Sequence, residues 1–426
     1  MTTRITREQN ETLTRVGPGT PMGNALRRYW IPACLREEIA EPDCPPVRVR
    51  LLGEDLVAFR DSAGQVGLVS AYCAHRLAPL FYGRNEECGL RCVYHGWKFD
   101  VTGQCVDTPS EPPFSRFGRR ISITAYPTWE GGGIVWAYLG PEALMPDPPD
   151  YEWLRAPSTH FRVSKTGEPC NYLQAVEGGI DTAHSSFAHN NDLSNNRLLR
   201  NRDTHPKLEV EVTGYGFRYA SIRNISDDAN YLRVYQFLMP NLQMRGGLLD
   251  REGNPSALPS INGHVWVPID DENTFVYNWK CSADEQAPIS DEQWARIEHQ
   301  MGRGDEHFIP GTYWLKLSPE NDYGIDRERQ RTQTFTGILG VNTQDFALQT
   351  GMGRIVDRSR EHPGSTDAAI VTARRLLLEA VAEAAAEAPL RGTEPDAYRM
   401  VRAADGIVEA GQSWREAMKD ALVAQW

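Results

Sequence analysis

The stretch CAHRLAPLFYGRNEECGLRCVYHGWKFD, residues 73–100, contains two short pairs of cysteine and histidine. Cys73 lies two residues before His75, and Cys92 lies three residues before His95. Each pair fits on one loop, and two such loops can bring four ligands around one metal centre. A tetrahedral zinc site uses the same ligand types, so the spacing alone predicts a metal centre and leaves the metal open.

The residues around these loops favour a small all-β domain. The run VRVRLLGEDLVAFRD, from Val47, alternates in the manner of a strand and turns at 53–55. GLVSAY and GIVWAYLG are further strand candidates, so both Cys–His pairs fall in long loops between strands. The segment PEALMPDPPDYEW that follows carries four prolines between Pro141 and Pro149. Proline removes backbone donors and fixes φ, so this segment predicts a linker.

Beyond the linker the sequence pattern changes to long alternating runs and helices. The runs are KLEVEVTGYGFRYASIR, YLRVYQFLMPNLQMR and HVWVPIDDENTFVYNW, and the last predicts a hairpin turning at 270–273. AAIVTARRLLLEAVAEAAAEAP is strongly helix-forming. We therefore expect an α+β protein, a small all-β domain followed by an antiparallel sheet with packed helices. The expected divisions are a helical segment at 1–29 with a capping box at Thr6 and Gln9, the small domain at 30–148, and the larger domain at 149–426.

Length and composition limit the classes of function. A chain of 426 residues exceeds what one hydrophobic core usually serves, and its net charge of −12 argues against nucleic-acid binding. The N-terminal residues are polar and no run reaches roughly 18 apolar residues, so we expect no signal peptide, no membrane span and a cytoplasmic location. Eight cysteines are too few for a disulfide scaffold and should stay reduced.

The residues flanking the Cys–His pairs resemble a known kind of iron–sulfur site. CAHR and CVYHGWKFD resemble the two cluster-binding loops of Rieske proteins, including the Gly-Trp dipeptide after the second histidine. The resemblance implies a 2Fe–2S cluster with Cys73 and Cys92 on one iron and His75 and His95 on the other. The first loop of that family often has a proline where this chain has Ala74, which changes the stiffness of the loop and not its ligands. Such a cluster moves one electron, so function requires a second centre.

The segment CNYLQAVEGGIDTAHSSFAHN, residues 170–190, is the candidate for that second centre. Asp181, His184 and His189 stand at intervals of three and five. On a regular helix Asp181 would lie beside His184, but the two histidines would diverge by roughly 140°. Both can reach one metal only if the helix ends, bends or bulges between them, and the serines at 185–186 offer a place for this.

Together the two motifs resemble the catalytic subunit of the Rieske non-heme iron oxygenases, and the resemblance covers nearly the whole chain. It implies a helix-grip catalytic domain in which His184 and His189 bind Fe(II) and a distant carboxylate completes a 2-His-1-carboxylate triad. The segment GVNTQDFALQTGMGRIVDRS offers Asp345 near the start of a predicted helix, with Asp357 in reserve. It resembles the ligand-bearing segment of the phthalate 4,5-dioxygenase subgroup.

The resemblance gives Asp181 a separate, catalytic role. The equivalent aspartate of the family bridges a cluster histidine of one subunit and an iron histidine of its neighbour, so Asp181 would accept hydrogen bonds from His95 and His184. This implies head-to-tail subunits and a homotrimer. The alternative is a helix-terminal charge stabilised by the helix dipole. No GxGxxG follows a strand, so a separate NAD(P)H-dependent reductase with FMN and a 2Fe–2S centre is implied.

The substrate follows only from the subgroup, which acts mainly on aromatic acids. We expect O2-dependent ring dioxygenation of a phthalate- or benzoate-like acid, with O-demethylation of a methoxylated aromatic or biaryl acid as the alternative. A carboxylate needs a cation near the iron, and Lys207 and Arg245 lie on strands that could line such a pocket. Two other classes stay open, an electron carrier without the second iron and a zinc-stabilised binding protein.

Overall fold

The computed structural model describes residues 4–112, 114–115 and 117–426. Its α-helices are α1 Arg7–Thr14, α2 Pro21–Leu26, α3 Glu152–Arg155, α4 Tyr172–Ile180, α5 Leu199–Arg202, α6 Asp291–Met301, α7 Arg327–Thr332, α8 Val341–Gly351, α9 Ala368–Ala385 and α10 Trp414–Ala417. Its strands are β1 Trp30–Leu35, β2 Val47–Leu51, β3 Glu54–Arg60, β4 Val66–Ser70, β5 Arg84–Asn85, β6 Leu90–Arg91, β7 Lys98–Phe99, β8 Cys105–Asp107, β9 Thr128–Gly131, β10 Ile134–Tyr138, β11 Phe161–Glu168, β12 Lys207–Val212, β13 Gly216–Ser226, β14 Ala229–Leu238, β15 Leu242–Leu249, β16 Pro255–Pro268, β17 Thr274–Ser282 and β18 Ala404–Glu409.

The first part of the chain folds into small antiparallel sheets. Strands β2, β3 and β4 form one sheet, β5 to β8 form a second, and β10 lies between β1 and β9 in a third. Val57, Phe59 and Phe99 are buried in a separate core that also contains Cys73 and Cys92. The alternating sequence runs therefore place apolar side chains directly beneath the Cys–His loops, and the all-β prediction for this region is confirmed.

The second part of the chain is built on one large antiparallel sheet. In the described residues its strand order is β11-β17-β16-β15-β14-β13-β12, and β18 pairs with β14. The predicted hairpin joins β16 to β17, where the Ile269 amide N–H donates to the Asn273 carbonyl at 2.9 Å. The central strands thus follow one another along the chain and bring distant residues into register.

Helices cover this sheet and complete the core. Tyr172 and Val176 of α4 are fully buried in one cluster with Trp266 of β16 and Tyr277 of β17. The long helix α9 packs against α2, β12 and β13. The α+β class, an antiparallel sheet with packed helices, is confirmed.

Two local predictions concern helix ends. At α1 the capping box is confirmed, since the Thr6 amide donates to the Gln9 side chain at 2.9 Å and the Gln9 amide donates to the Thr6 hydroxyl at 3.1 Å. The helix expected over 170–190 is shorter than its pattern, because α4 ends at Ile180 and only a 3-10 turn follows at His184–Ser186. The Tyr219 hydroxyl donates to the Ile180 carbonyl at 2.9 Å, which satisfies one acceptor freed by that ending. Among the helices described, none is both long and apolar enough to cross a bilayer.

Candidate active site

Two tight turns present the Cys–His pairs. The Leu77 amide donates to the Cys73 carbonyl and the Gly96 amide donates to the Cys92 carbonyl, both at 2.9 Å. Gly96 has a φ of +79°, a conformation that favours glycine. A Cβ at this position would also meet Pro109 Cγ at 2.6 Å. The glycine of the sequence motif is therefore required by the shape of the second turn.

The two turns bring their histidines together. The ring centroids of His75 and His95 are 4.4 Å apart, and Trp97 stacks on His75 at 4.6 Å. Both Nδ1 atoms are buried without a hydrogen-bond partner, an arrangement that costs about 1–3 kcal/mol per group unless a ligand completes it. Cys73 and Cys92 are buried beside them, and burial raises the pKa of the Cys73 thiol to about 11. A bound metal takes the place of that proton, so these side chains fit a cluster with two sulfur and two nitrogen ligands.

The second group of ligand-type residues lies where α4 ends. His184 Nε2 and His189 Nε2 are 3.1 Å apart. Asp345 Oδ1 of helix α8 lies 3.5 Å from His184 Nε2 and 3.2 Å from His189 Nε2. The prediction that the helix must end, bend or bulge for both histidines to reach one point is confirmed, although α4 ends at Ile180, before His184, and not between the two histidines. Two imidazoles and one carboxylate converge here in the arrangement of a facial triad, which fits Fe(II).

The other ring nitrogen of each histidine has its own partner. His189 Nδ1 lies 2.9 Å from Gln344 Oε1, and the Gln344 amide donates in turn to Asn191 Oδ1 at 2.6 Å. His184 Nδ1 lies 3.4 Å from Asp181 Oδ2. Such partners fix the orientation of a ligating imidazole and the nitrogen it offers to a metal. Both Nε2 atoms are therefore turned toward the common point.

The histidines of this cluster stabilise the ionised form of the two carboxyl groups beside them. Burial is the largest single effect and acts against ionisation of the Asp181 carboxyl, but the hydrogen bond and charge of His184 together with backbone amide donors hold the pKa of Asp181 below its usual range. Burial is also the largest single effect on Asp345, where the charge and hydrogen bond of His189 and the charges of His184 and Arg245 together lower the pKa of that carboxyl. Both carboxylates are thus held as anions, the form that accepts hydrogen bonds or binds a cation.

A cavity of about 330 Å³ adjoins the His184–His189–Asp345 cluster, which forms part of its wall. This volume lies within the range of small-molecule sites, about 300–1,000 Å³. Apolar and aromatic side chains form much of the remaining wall: Ala175, Tyr235, Trp266, Val276, Trp279 and Phe346. An aromatic ring would be enclosed here beside the metal-type ligands.

A row of polar side chains crosses the sheet at this cavity. Arg245 of β15 is in register with Asn262 of β16, which is in register with Lys280 of β17. Residues opposite one another on adjacent strands project from the same face, so both cations line the cavity. Arg245 Nε donates to Asn262 Oδ1 at 2.7 Å, and Lys280 Nζ donates to Ser260 Oγ at 2.7 Å. Arg245 also contacts the ring of His264.

Arg200 and Arg233 add further positive charge to the cavity wall. Among the described residues, no carboxylate forms an ion pair with either of them or with Arg245 or Lys280. Burial, followed by repulsion from Arg233, lowers the pKa of Arg200 and of Arg245 to about 10. Burial, followed by repulsion from Arg245, lowers the pKa of Lys280 to about 8. All four cations are half-buried and, within the described part of the chain, lack a carboxylate partner, so the cavity is suited to an anion with more than one negative charge.

Two residues named from the sequence lie elsewhere. Lys207 was expected as a possible substrate anchor, but its side chain is 72% exposed and pairs with Glu209 at 2.9 Å. It starts β12, an edge strand of the sheet, and so does not reach the cavity. The reserve ligand Asp357 accepts a hydrogen bond from the Ser359 amide at 3.1 Å and pairs with Arg7 at 3.7 Å. Arg245 alone of the two expected anchors lines the cavity.

Other residues of the site were not predicted. Lys280 lies on a strand that the alternating sequence predicts. The sequence does not show which residues of the neighbouring strand lie opposite Lys280. Arg200 and Arg233 carry no motif, and Gln344 is distinguished only by its position next to Asp345. Strand order would have revealed Lys280, because it follows Arg245 and Asn262 in a simple meander.

Comparison with protein families gives two matches. The family described as Rieske [2Fe-2S] domain matches residues 29–127, which include both Cys–His loops. The family described as LigXa C-terminal domain like matches residues 137–425, which include His184, His189 and Asp345. The first match decides the choice between zinc and an iron–sulfur cluster in favour of the cluster.

Similar proteins extend over the whole chain. The phthalate 4,5-dioxygenase oxygenase subunit of Pseudomonas putida is 40% identical over 97% of this chain and 94% of its own length. The 5,5'-dehydrodivanillate O-demethylase oxygenase subunit of a Sphingobium species is 31% identical over 99% of this chain and 90% of its own. The crystal structure of dicamba monooxygenase bound to dicamba matches with a TM-score of 0.60, 19% identity, and coverage of 85% of this chain and 99% of that one. This last likeness supports the fold.

Proposed function

Because this chain belongs to the Rieske non-heme iron oxygenases, we propose that it dioxygenates the ring of an aromatic acid that carries two carboxylate groups. The chain is an oxygenase subunit, and its cofactors are a Rieske 2Fe–2S cluster and a mononuclear iron. When bound, the iron activates dioxygen and the cluster supplies electrons. The protein itself contributes ligation, substrate orientation and exclusion of water.

One observation supports the substrate class. The cavity that contains His184, His189 and Asp345 also contains cations without carboxylate partners. Arg245 can donate two parallel hydrogen bonds to one carboxylate, and Lys280 on the same row can meet a second. The aromatic side chains opposite can enclose the ring between them. A relative at 40% identity is named for phthalate, an aromatic acid with two carboxylates.

We assign the ligands as the motif predicts. Cys73, His75, Cys92 and His95 would hold the cluster, and the domain division at 30–148 and 149–426 would separate it from the iron. His184, His189 and Asp345 would hold the iron, and Gln344 would keep His189 in position. With three protein ligands that also line the cavity, the iron would remain accessible to dioxygen beside a bound substrate.

Asp181 would join the two kinds of centre across a subunit interface. Its Oδ2 already faces His184, and its side chain keeps part of its surface free. A hydrogen bond from His95 of the partner subunit would complete the bridge. Such an interface joins the head of one subunit to the tail of the next and closes into a ring, for which we propose a homotrimer.

Exposed apolar side chains support this assembly. Leu77, beside the first Cys–His loop, is 71% exposed, and Tyr94 next to His95 is also exposed. Near His184, Phe187 and Phe335 are both exposed and pack edge to face at 5.5 Å. Covering these groups with a second copy would remove apolar surface from water at both ends of the proposed interface.

The electron supply is a further part of the proposal. The chain lacks a GxGxxG after a strand, so it would depend on a separate NAD(P)H-dependent reductase carrying FMN and a 2Fe–2S centre. Two similar proteins are named as oxygenase subunits, which supports a system of several protein components.

O-demethylation is the second candidate, because a relative at 31% identity is an O-demethylase subunit. Oxygen uptake with phthalate, benzoate and a methoxylated biaryl acid, in the presence of a phthalate-type reductase, separates the two. Ring dioxygenation of the dicarboxylate should place two atoms from labelled dioxygen in a cis-diol, whereas demethylation releases formaldehyde. Uptake coupled to benzoate or to the biaryl acid but not to phthalate would overturn the proposed substrate class.

A further inference from the structure

A second group of metal-type ligands lies outside the cavity. His299 stands near the end of α6, and Glu306 and His307 lie on the 3-10 turn that follows. One ligand atom from each lies within 4.8 Å of the other two. We propose that these three residues bind a divalent metal ion of borderline softness, with Zn²⁺ as the ion of best fit. This site is separate from the iron and the cluster.

The Glu306 carboxylate lies between the two histidines. His299 Nδ1 contacts Glu306 Oε1, and His307 Nδ1 lies 3.3 Å from the same oxygen. The two ring centroids are 5.5 Å apart. His307 Nδ1 is buried and makes no hydrogen bond, so its lone pair or proton is unsatisfied within this group. A metal ion would satisfy that nitrogen.

The backbone makes room for the carboxylate. At Gly304 a Cβ would lie 2.5 Å from Glu306 Oε2, so any larger residue would displace the side chain. Helix α6 ends at Met301 and is capped by Gly302, whose φ of +83° turns the chain back toward the helix. Lys316 Nζ donates to the backbone carbonyl of Glu306 at 2.7 Å and leaves the carboxylate to the histidines. The turn therefore holds a carboxylate beside two imidazoles.

Two imidazoles and one carboxylate are a ligand set that zinc uses, with water in the fourth position. His299 is 68% exposed, so an ion can enter from solvent. Helix α6 also contributes Trp294, Ile297 and Met301 to the wall of the cavity. A metal ion at this site would tie the end of that helix to the next turn and stiffen one wall of the cavity.

Zinc titration of the iron- and cluster-loaded protein tests the proposal. A zinc-binding dye reports free Zn²⁺, and iron release is measured in parallel to count any zinc that replaces iron at His184 and His189. The parent should bind one zinc per chain beyond the iron released, and its melting temperature should rise with zinc. In His299→Ala and in Glu306→Gln the affinity for this zinc should fall by about 100-fold or more. Loss of a residue that only supports a ligand lowers metal affinity by about 10–100-fold, so a larger loss indicates a direct ligand.

Further variants separate metal binding from a loss of folding. Glu306→Gln keeps the shape of the side chain and removes its charge, so it tests the ligand without leaving a cavity. His362→Ala removes an exposed histidine elsewhere and should keep the extra zinc and the thermal shift. Equal zinc binding by the parent and by both ligand variants would overturn the proposal, as would zinc uptake that equals the iron released.

Discussion

Removing the positive charge of Arg245 tests the proposed anion site. Arg245→Met keeps most of the length of the side chain and loses its hydrogen-bond donors. A hydrogen bond to a charged group contributes about 1.5–3 kcal/mol, and a guanidinium can donate two of them to one carboxylate. With about 3 kcal/mol lost, and 1.4 kcal/mol for each tenfold change, the Kd for an aromatic dicarboxylate should rise about 100-fold. Lys280 remains in the row, so binding should weaken and not vanish.

Anaerobic calorimetry with phthalate and benzoate measures this change without turnover. Phthalate should lose affinity by the full factor, because the variant has too few cations on the row for two carboxylates. Benzoate should lose less, since Lys280 can still pair with its single carboxylate. Iron content should match that of the parent, because Arg245 is not among the ligand-type residues around Asp345.

Lys207→Met is the matched control, since it removes a cation from the same sheet at an exposed position. Its Kd for phthalate should stay within about twofold of the parent, because Lys207 does not line the cavity and loses only an exposed pair with Glu209. If Arg245→Met binds phthalate within threefold of the parent, or if Lys207→Met weakens binding as much, the assignment of the anion site is wrong.

Three further predictions concern the remaining groups. Asp181→Asn should retain iron and the visible spectrum of the cluster yet lose nearly all turnover, and parent-like activity would refute the bridging role. Burial lowers the pKa of Lys280 to about 8, so its positive charge is present below pH 8 and is lost above it. In the parent, kcat/KM for a dicarboxylate should therefore fall between pH 7 and 9. An equal fall in Lys280→Met would contradict this role of Lys280. Gln344→Leu removes the partner of His189 Nδ1, and iron affinity measured by dialysis against a chelator should drop about 10–100-fold; unchanged iron retention would exclude the positioning role.

The metal-type ligands could be predicted because their signals are local. Cys73 and His75 share one short loop, and His184 and His189 share one helix end, so spacing alone limits their geometry. The divergence of an i, i+5 pair predicted that no regular helix runs from His184 to His189, and the structure has only a 3-10 turn there, after α4 has already ended at Ile180. Asp345 is distant in sequence and was found through the family resemblance.

The substrate cavity was harder to predict, because it depends on strand order and register. Lys207 and Arg245 both stand on strands of alternating sequence. Lys207 begins the edge strand β12, whereas Arg245 is on β15, which lies between β14 and β16. A shift of one residue in the pairing would turn Arg245 to the opposite face. The register with Asn262 and Lys280 is fixed by packing across the whole sheet, which no short stretch of sequence records.

The cation row and the metal-type ligands come from different layers of the protein. Arg245 and Lys280 are carried by β15 and β17 of the sheet, on either side of β16, whereas His184 and Asp345 are carried by a turn and a helix. A substitution on the sheet can therefore change which acids are accepted while the chemistry of oxygen activation stays in place. Substrate preference and metal binding are thus separable by position, since no residue of the cation row belongs to the turn or helix that carries the metal-type ligands.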